Sequence, residues 1–214
     1  MKIYEYGDVT AKNVLVQAVD DHDLEGIENE VAVIGELCGK DFRLIAVKAD
    51  NWNDDLSPWS APAVFGEADF GGGASATLES ILELCADKSK SYYIGGYSLS
   101  GLFALWAAYR TDIFRGVAAA SPSVWFPGFS DHAKECAIRS DTVYLSLGDK
   151  EEKSRNPIMA TVGDNIREIY GFLRDKGVNC TLEMNEGGHF KDADVRTAKA
   201  FAWVLKNKCP TDKE

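Results

Sequence analysis

Between an apolar run, Tyr92-Tyr93-Ile94, and a stretch with helical spacing, Leu99-Leu102-Phe103-Leu105-Trp106, stands the hexapeptide Gly96-Tyr97-Ser98-Leu99-Ser100-Gly101. These flanks predict a strand that turns abruptly into a helix, with Ser98 at the bend. So sharp a turn forces the serine backbone into a strained conformation, and the residues two positions away must be small. Gly96 fills the first of these places. Ser100 fills the second, where the strict G-x-S-x-G pattern has glycine, and Gly101 follows at once. The helix aims the unpaired N–H groups of its first turn at charge developing near the serine. Gly-x-Ser-x-small matches also arise by chance, so spacing alone does not make Ser98 a nucleophile. The preceding strand and the amphipathic helix that follows add weight, and a base and an acid must then be found elsewhere.

The rest of the chain repeats this alternation. Val14–Val16, Leu44–Val47, Tyr92–Ile94, Val117–Ala119 and Val143–Leu145 read as short strands buried on both faces, with Cys180–Met184 as the last. Between them lie helical patterns: Leu24-Ile27-Val31-Ile34-Leu37, Leu78-Ile81-Leu82-Cys85 and Ile158-Val162-Ile166-Ile169-Leu173. A final helix turns Val195, Ala198, Phe201, Ala202 and Leu205 inward. Such alternation predicts an α/β fold, a mostly parallel central sheet with helices on both faces. Ligands gather at the carboxyl ends of the strands in such sheets, which is where Ser98 falls. With 214 residues, 45% of them hydrophobic, the chain is expected to form one domain over residues 1–214.

Asn51 to Gly73 breaks the rhythm, with Trp52, Trp59, Phe65, Phe70 and two prolines but little periodicity. A long irregular stretch of this kind is either a wall or lid of a site, or a rigid loop whose aromatics plug the core edge. Gly71-x-Gly73-x-x-Ala76 fits a dinucleotide-binding pattern by letter but follows no strand. Its ordinary reading is a helix entry that uses glycine for close approach.

Three histidines compete for the base. His22 lies in an acidic turn before the first helix, and His132 follows Ser130-Asp131, which reads as a helix start capped by either residue. His189, in Glu186-Gly187-Gly188-His189-Phe190, follows the last strand, and its paired glycines let the backbone swing the imidazole toward a neighbouring strand end. His189 is therefore the candidate base. The acid is expected after the strand Thr142–Leu147, where the turn Gly148-Asp149-Lys150-Glu151-Glu152-Lys153 offers three carboxylates. A charge run like this is usually a solvated turn. Here it completes a serine–acid–histidine order; Glu151 is preferred, with Glu152 and Asp149 behind it.

Acidic residues outnumber basic ones 34 to 23, a formal net charge of −11. Phosphate-mediated nucleic-acid binding needs a basic face that this chain lacks. No apolar run approaches membrane-spanning length, and Met1–Glu5 does not begin a signal peptide, so neither membrane nor nucleic acid is an expected partner. Cys38, Cys85, Cys136, Cys180 and Cys209 are scattered without CxxC spacing. They read as reduced thiols of a cytoplasmic protein, with no metal site and no cofactor.

Several stretches, taken in order, resemble the esterase D and enterochelin-esterase-like branch of the α/β-hydrolases. They are Asn53-Asp54-Asp55-Leu56-Ser57-Pro58-Trp59, Gly71-Gly72-Gly73-Ala74, Gly96–Leu105, Ser121-Pro122-Ser123-Val124-Trp125 and Gly187-Gly188-His189. The resemblance implies an α/β-hydrolase fold with a minimal cap, Ser98 as nucleophile, His189 as general base and Glu151 as acid. Many relatives have aspartate at the acid position, and the arginine often found before the Asp-Leu-Thr-Pro stretch is absent here. An oxyanion would be held by the backbone N–H of Leu99 and by a second donor after Val14–Val19, from Asp20 or Asp21. Trp125 is either a wall of the substrate pocket or ordinary core packing. The expected activity is hydrolysis of a small-molecule carboxylic ester. The alternatives are acyl transfer from the same serine, and a ligand-binding module without catalysis.

Overall fold

The computed structural model describes residues 1–207. Its sheet has seven strands in the order β1-β3-β2-β6-β7-β8-β9: β1 (Lys2–Gly7), β2 (Asn13–Val19), β3 (Arg43–Lys48), β6 (Ser91–Tyr97), β7 (Phe114–Ala120), β8 (Thr142–Gly148) and β9 (Asn179–Asn185). All neighbours pair in parallel except β1, which runs antiparallel to β3 along one edge. The six strands read from the sequence are all present. The edge strand β1 was not anticipated; Lys2, Ile3 and Glu5 face solvent, so it lacks the doubly buried apolar run that marked the others.

Alternation along each strand sorts the core into two layers. Val14, Val16 and Ala18 of β2 face α3 (Ala74–Leu84), α4 (Ser98–Arg110), α5 (Phe129–Glu135) and α6 (Val162–Asp175). Leu15 and Val19 face α1 (Asp21–Cys38) and α7 (Ala193–Lys206). Asp20 caps α1 through a reciprocal box with Asp23, so that helix begins within a residue of β2 and takes His22 into its first turn. The helix after Ser98 is not amphipathic: every residue from Leu99 to Tyr109 is buried, because α4 is covered on all sides. Ile158 lies outside α6, which starts at Val162 after a short 3-10 turn. His132 sits in the last turn of α5, whose N-cap is Gly128 rather than Ser130 or Asp131.

The irregular segment combines both roles considered for it. It contains the short helix α2 (Trp52–Asp55) and a two-stranded ribbon, β4 (Ser60–Ala61) with β5 (Phe70–Gly71). Leu56, Val64 and Phe70 are buried in the core, while Trp52 and Phe65 line a cleft. Gly72, at φ +86°, lies so close to the Trp59–Ser60 backbone that a Cβ there would stand 2.7 Å from Ser60 N. This glycine thus serves close approach within the loop. Cys38, Cys85, Cys136 and Cys180 are free thiols, and Cys209 lies outside the described residues. Among the described residues, no helix is long and apolar enough to cross a membrane.

Candidate active site

Parallel pairing brings the carboxyl ends of β2, β6, β7, β8 and β9 to one edge of the sheet. The residues singled out in the sequence follow those ends: Asp20 and Asp21 after β2, Ser98 after β6, Trp125 after β7, Glu151 after β8 and His189 after β9. Ser98 has φ +57°, in the left-handed region that costs a non-glycine residue about 1–3 kcal/mol. A Cβ on Gly96 would overlap the Ser100 hydroxyl, which explains glycine at that position. Ser100 is buried, and its hydroxyl donates to Ala18 O at 2.7 Å, tying the start of α4 to the end of β2. The serine at the pattern's last position therefore acts as a clamp.

Ser98, His189 and Glu151 form one hydrogen-bonded line. Glu151 Oε2 lies 2.7 Å from His189 Nδ1, and His189 Nε2 lies 2.9 Å from Ser98 Oγ. A carboxylate can only accept, so Nδ1 carries the proton and donates it, leaving Nε2 to accept from the serine hydroxyl. The other two carboxylates go elsewhere: Asp149 accepts from Gly187 N–H at 2.7 Å, bracing the histidine loop, and Glu152 pairs with Arg167 at 2.8 Å. His22 is exposed, and the half-buried His132 packs against Trp59, Tyr109 and Phe129.

Four further residues support the line. Glu151 Oε1 accepts from Gly148 N–H (2.7 Å), Ser121 Oγ (2.8 Å) and Arg196 Nη1 (3.2 Å). Burial pushes the Glu151 carboxyl up, but the bond and charge of His189, then Gly148 N–H and Ser121, hold it below its ordinary value. Arg196 is 2% exposed and also donates to Tyr97 OH (3.1 Å) and Glu186 O (3.0 Å). Tyr97 in turn donates to the His189 carbonyl at 2.6 Å. Ser121, itself at φ +40°, and Ser123, whose Oγ is 3.3 Å from Ser98 Oγ, complete the surroundings. Sequence reasoning assigned no role to Ser121, Ser123, Arg196 or Tyr97, although all but Arg196 lie in stretches that carried the resemblance.

No side chain caps α4, so the first-turn N–H groups around Leu99, next to Ser98, are not taken by a capping side chain. After β2 the two alternatives separate. Asp20 lines the cleft over Ser98 with its N–H taken by Asp23 Oδ2 at 3.2 Å, whereas Asp21 stands outside that box, is not among the residues lining the cleft, and turns its carboxylate outward to Lys48. The cleft over Ser98 and His189 has a volume of about 360 Å³ and is walled by Trp52, Phe65, Trp125, Met159 and Phe190. Trp125 is 7% exposed and also packs on Phe65 and Phe70. It thus both lines this cleft and packs into the core edge. Among the described residues, no group of three His, Cys, Asp or Glu is arranged to hold a metal ion.

Comparison with solved structures places this architecture. An IroE-like serine hydrolase from Shewanella oneidensis superposes with a TM-score of 0.76 at 13% identity, over 95% of this chain and 75% of that one. The chain has the α/β-hydrolase fold. The siderophore hydrolase EstB from Aspergillus nidulans shares this fold (TM-score 0.69, 16% identity, 91% of this chain and 83% of that one). So does a Bacillus cereus carboxylesterase (TM-score 0.62, 16% identity, 96% and 94%). No protein-family model and no curated protein sequence matches this chain. Within the α/β-hydrolase fold, Ser98 occupies the strand-to-helix bend at the carboxyl edge of the sheet.

Proposed function

We propose that this chain is a serine hydrolase of carboxylic esters, working through an acyl-enzyme on Ser98. The observation that carries this reading is the continuous hydrogen-bonded line Ser98–His189–Glu151 at the floor of an open cleft. Ser98 Oγ attacks the ester carbonyl carbon while His189 Nε2 takes its proton. The carbonyl oxygen becomes an oxyanion held by Leu99 N–H and a second backbone donor after β2, from Asp20 or Asp21; each such donor contributes about 3 kcal/mol to the transition state. Collapse breaks the bond to the alcohol, which leaves with the proton from His189. Water then gives His189 a proton as it attacks the acyl carbon. The carboxylic acid departs and Ser98 regains its hydrogen. Glu151 holds the imidazole in the required tautomer and offsets the imidazolium charge, and Arg196 fixes Glu151 in turn.

The structural relatives named above carry hydrolase and esterase activities in their descriptions, which agrees with this reading. A panel of p-nitrophenyl esters of increasing acyl length tests it. Saturable hydrolysis by the native chain, lost at least 10³-fold in Ser98→Ala, is the expected result. Equal turnover by both proteins would refute the proposal.

A further inference from the structure

A second cavity, also about 360 Å³, opens beside the catalytic cleft and shares His22, Asp23, Tyr97, Phe190 and Ala193 with it. The two are thus limbs of one depression meeting at the catalytic histidine loop, with contrasting chemistry. The cleft over Ser98 is mainly aromatic and apolar. The second limb adds the carboxyl groups of Glu25, Glu30, Asp192 and Asp194 to that of Asp23, and no lysine or arginine lines it. Cations on adjoining elements are committed elsewhere: Arg196 to Glu151, Lys48 to Asp21 and Lys191 to Glu186.

An independent observation singles out a ligand. Glu30 reaches this limb from α1 and is only 3% exposed. Its Oε2 meets Gln17 Nε2 at a long 3.4 Å, and its Oε1 accepts from no donor among the described residues. A buried carboxyl oxygen without a partner is destabilising, and a ligand that donates N–H groups would offset this. Asp194 is different, since its oxygens already accept from Asn29 and Val195. Tyr97 and Phe190 add two aromatic rings to the lining of the same limb, and Phe190 is 93% exposed with its ring edge-on to His189. Aromatic faces with carboxylates suit an organic cation, and the unpaired Glu30 oxygen suits a primary ammonium.

We infer that the acidic limb receives a primary alkylammonium group of the ester substrate, while its apolar part fills the aromatic cleft over Ser98. This rests on the esterase reading and narrows its substrate class to cationic esters. Burial raises the Glu30 carboxyl well above its ordinary value, against the Gln17 bond and with the charges of Asp23 and Asp194 adding to the rise.

Two matched pairs test the inference: p-nitrophenyl 6-aminohexanoate against heptanoate, and 6-aminohexyl benzoate against heptyl benzoate. In at least one pair kcat/KM should favour the ammonium ester about tenfold, and the ratio should approach one in the isosteric Glu30→Gln/Asp192→Asn variant. A ratio near one in both pairs with the native chain would overturn the inference. Calorimetric titration of Ser98→Ala with hexylammonium chloride reads the limb without catalysis. Saturable binding that weakens with salt and in Glu30→Gln supports the site even if no ester is hydrolysed, in which case the esterase reading alone fails. Absence of binding, or equal binding of hexyltrimethylammonium, would overturn the assignment of a primary ammonium to Glu30.

Discussion

Replacing Glu151 with glutamine leaves shape intact and removes one charge, so its effect follows from hydrogen-bond inventory. Three donors converge on Oε1: Gly148 N–H, the Ser121 hydroxyl and Arg196. The new amide must keep its carbonyl oxygen there, because an NH₂ group in that place would face three donors. Its NH₂ then faces His189 Nδ1, where the carboxylate accepted at 2.7 Å. Nδ1 is forced to accept, the proton moves to Nε2, and Nε2 can no longer take the proton of Ser98. A triad held in the wrong tautomer loses about 10⁴ in kcat, or roughly 5.5 kcal/mol of barrier. The same change leaves the buried Arg196 without its carboxylate, costing about 3 kcal/mol of folding stability. Steady-state hydrolysis of p-nitrophenyl acetate reads the first number, urea unfolding the second, and imidazole ¹⁵N shifts the tautomer. Activity within tenfold of native, with the proton still on Nδ1, would refute this account of Glu151.

Other substitutions probe separate parts of the site. Gly96→Ala should destabilise the chain by about 2 kcal/mol or more through overlap with Ser100, with partial recovery in Gly96→Ala/Ser100→Gly; thermal unfolding midpoints check both. Trp125→Ala should cost about 3–5 kcal/mol of stability and shift the best acyl chain length upward in an ester panel. Burial, and then the charge of Asp20, push the Asp23 carboxyl up to about 6. Because this folded value exceeds the unfolded one, the contribution of Asp23 to stability is fully present below about pH 4 and is lost as pH rises through 6. The difference in denaturant midpoint between the native chain and Asp23→Asn should shift against the native chain as pH rises across that window; a pH-independent difference would refute the assignment.

The sequence made the sheet legible because strands buried on both faces carry short apolar runs, as β2, β3, β6, β7 and β8 do in Val14–Val16, Leu44–Val47, Tyr92–Ile94, Val117–Ala119 and Val143–Leu145. The half-exposed β1 offers no such run, and its pairing depends on the edge of β3, which local pattern does not encode. Ser98 and His189 were visible because sharp turns leave glycine signatures beside them. Choosing Glu151 over Asp149 and Glu152 needed more, since three carboxylates in four residues differ only in direction once the turn is folded. Arg196 was hidden for the opposite reason. Periodicity turned Val195 and Leu205 inward on α7; both are only partly buried, Leu205 packing against the core, and the fully buried positions also include Arg196, Thr197, Ala200 and Val204. A charged residue at an inward position reads as solvent-facing until its carboxylate partner, 45 residues away, is brought beside it.

The central claim is that a hydroxyl at the β6–α4 bend is made nucleophilic by the histidine opposite it. Peptide-mapped labelling with a fluorophosphonate tests this most directly. The account predicts one adduct per chain, on Ser98, absent in Ser98→Ala, sharply slowed in His189→Ala and largely retained in Ser100→Ala. An adduct on another residue, or labelling of Ser98 at the same rate without His189, would contradict it.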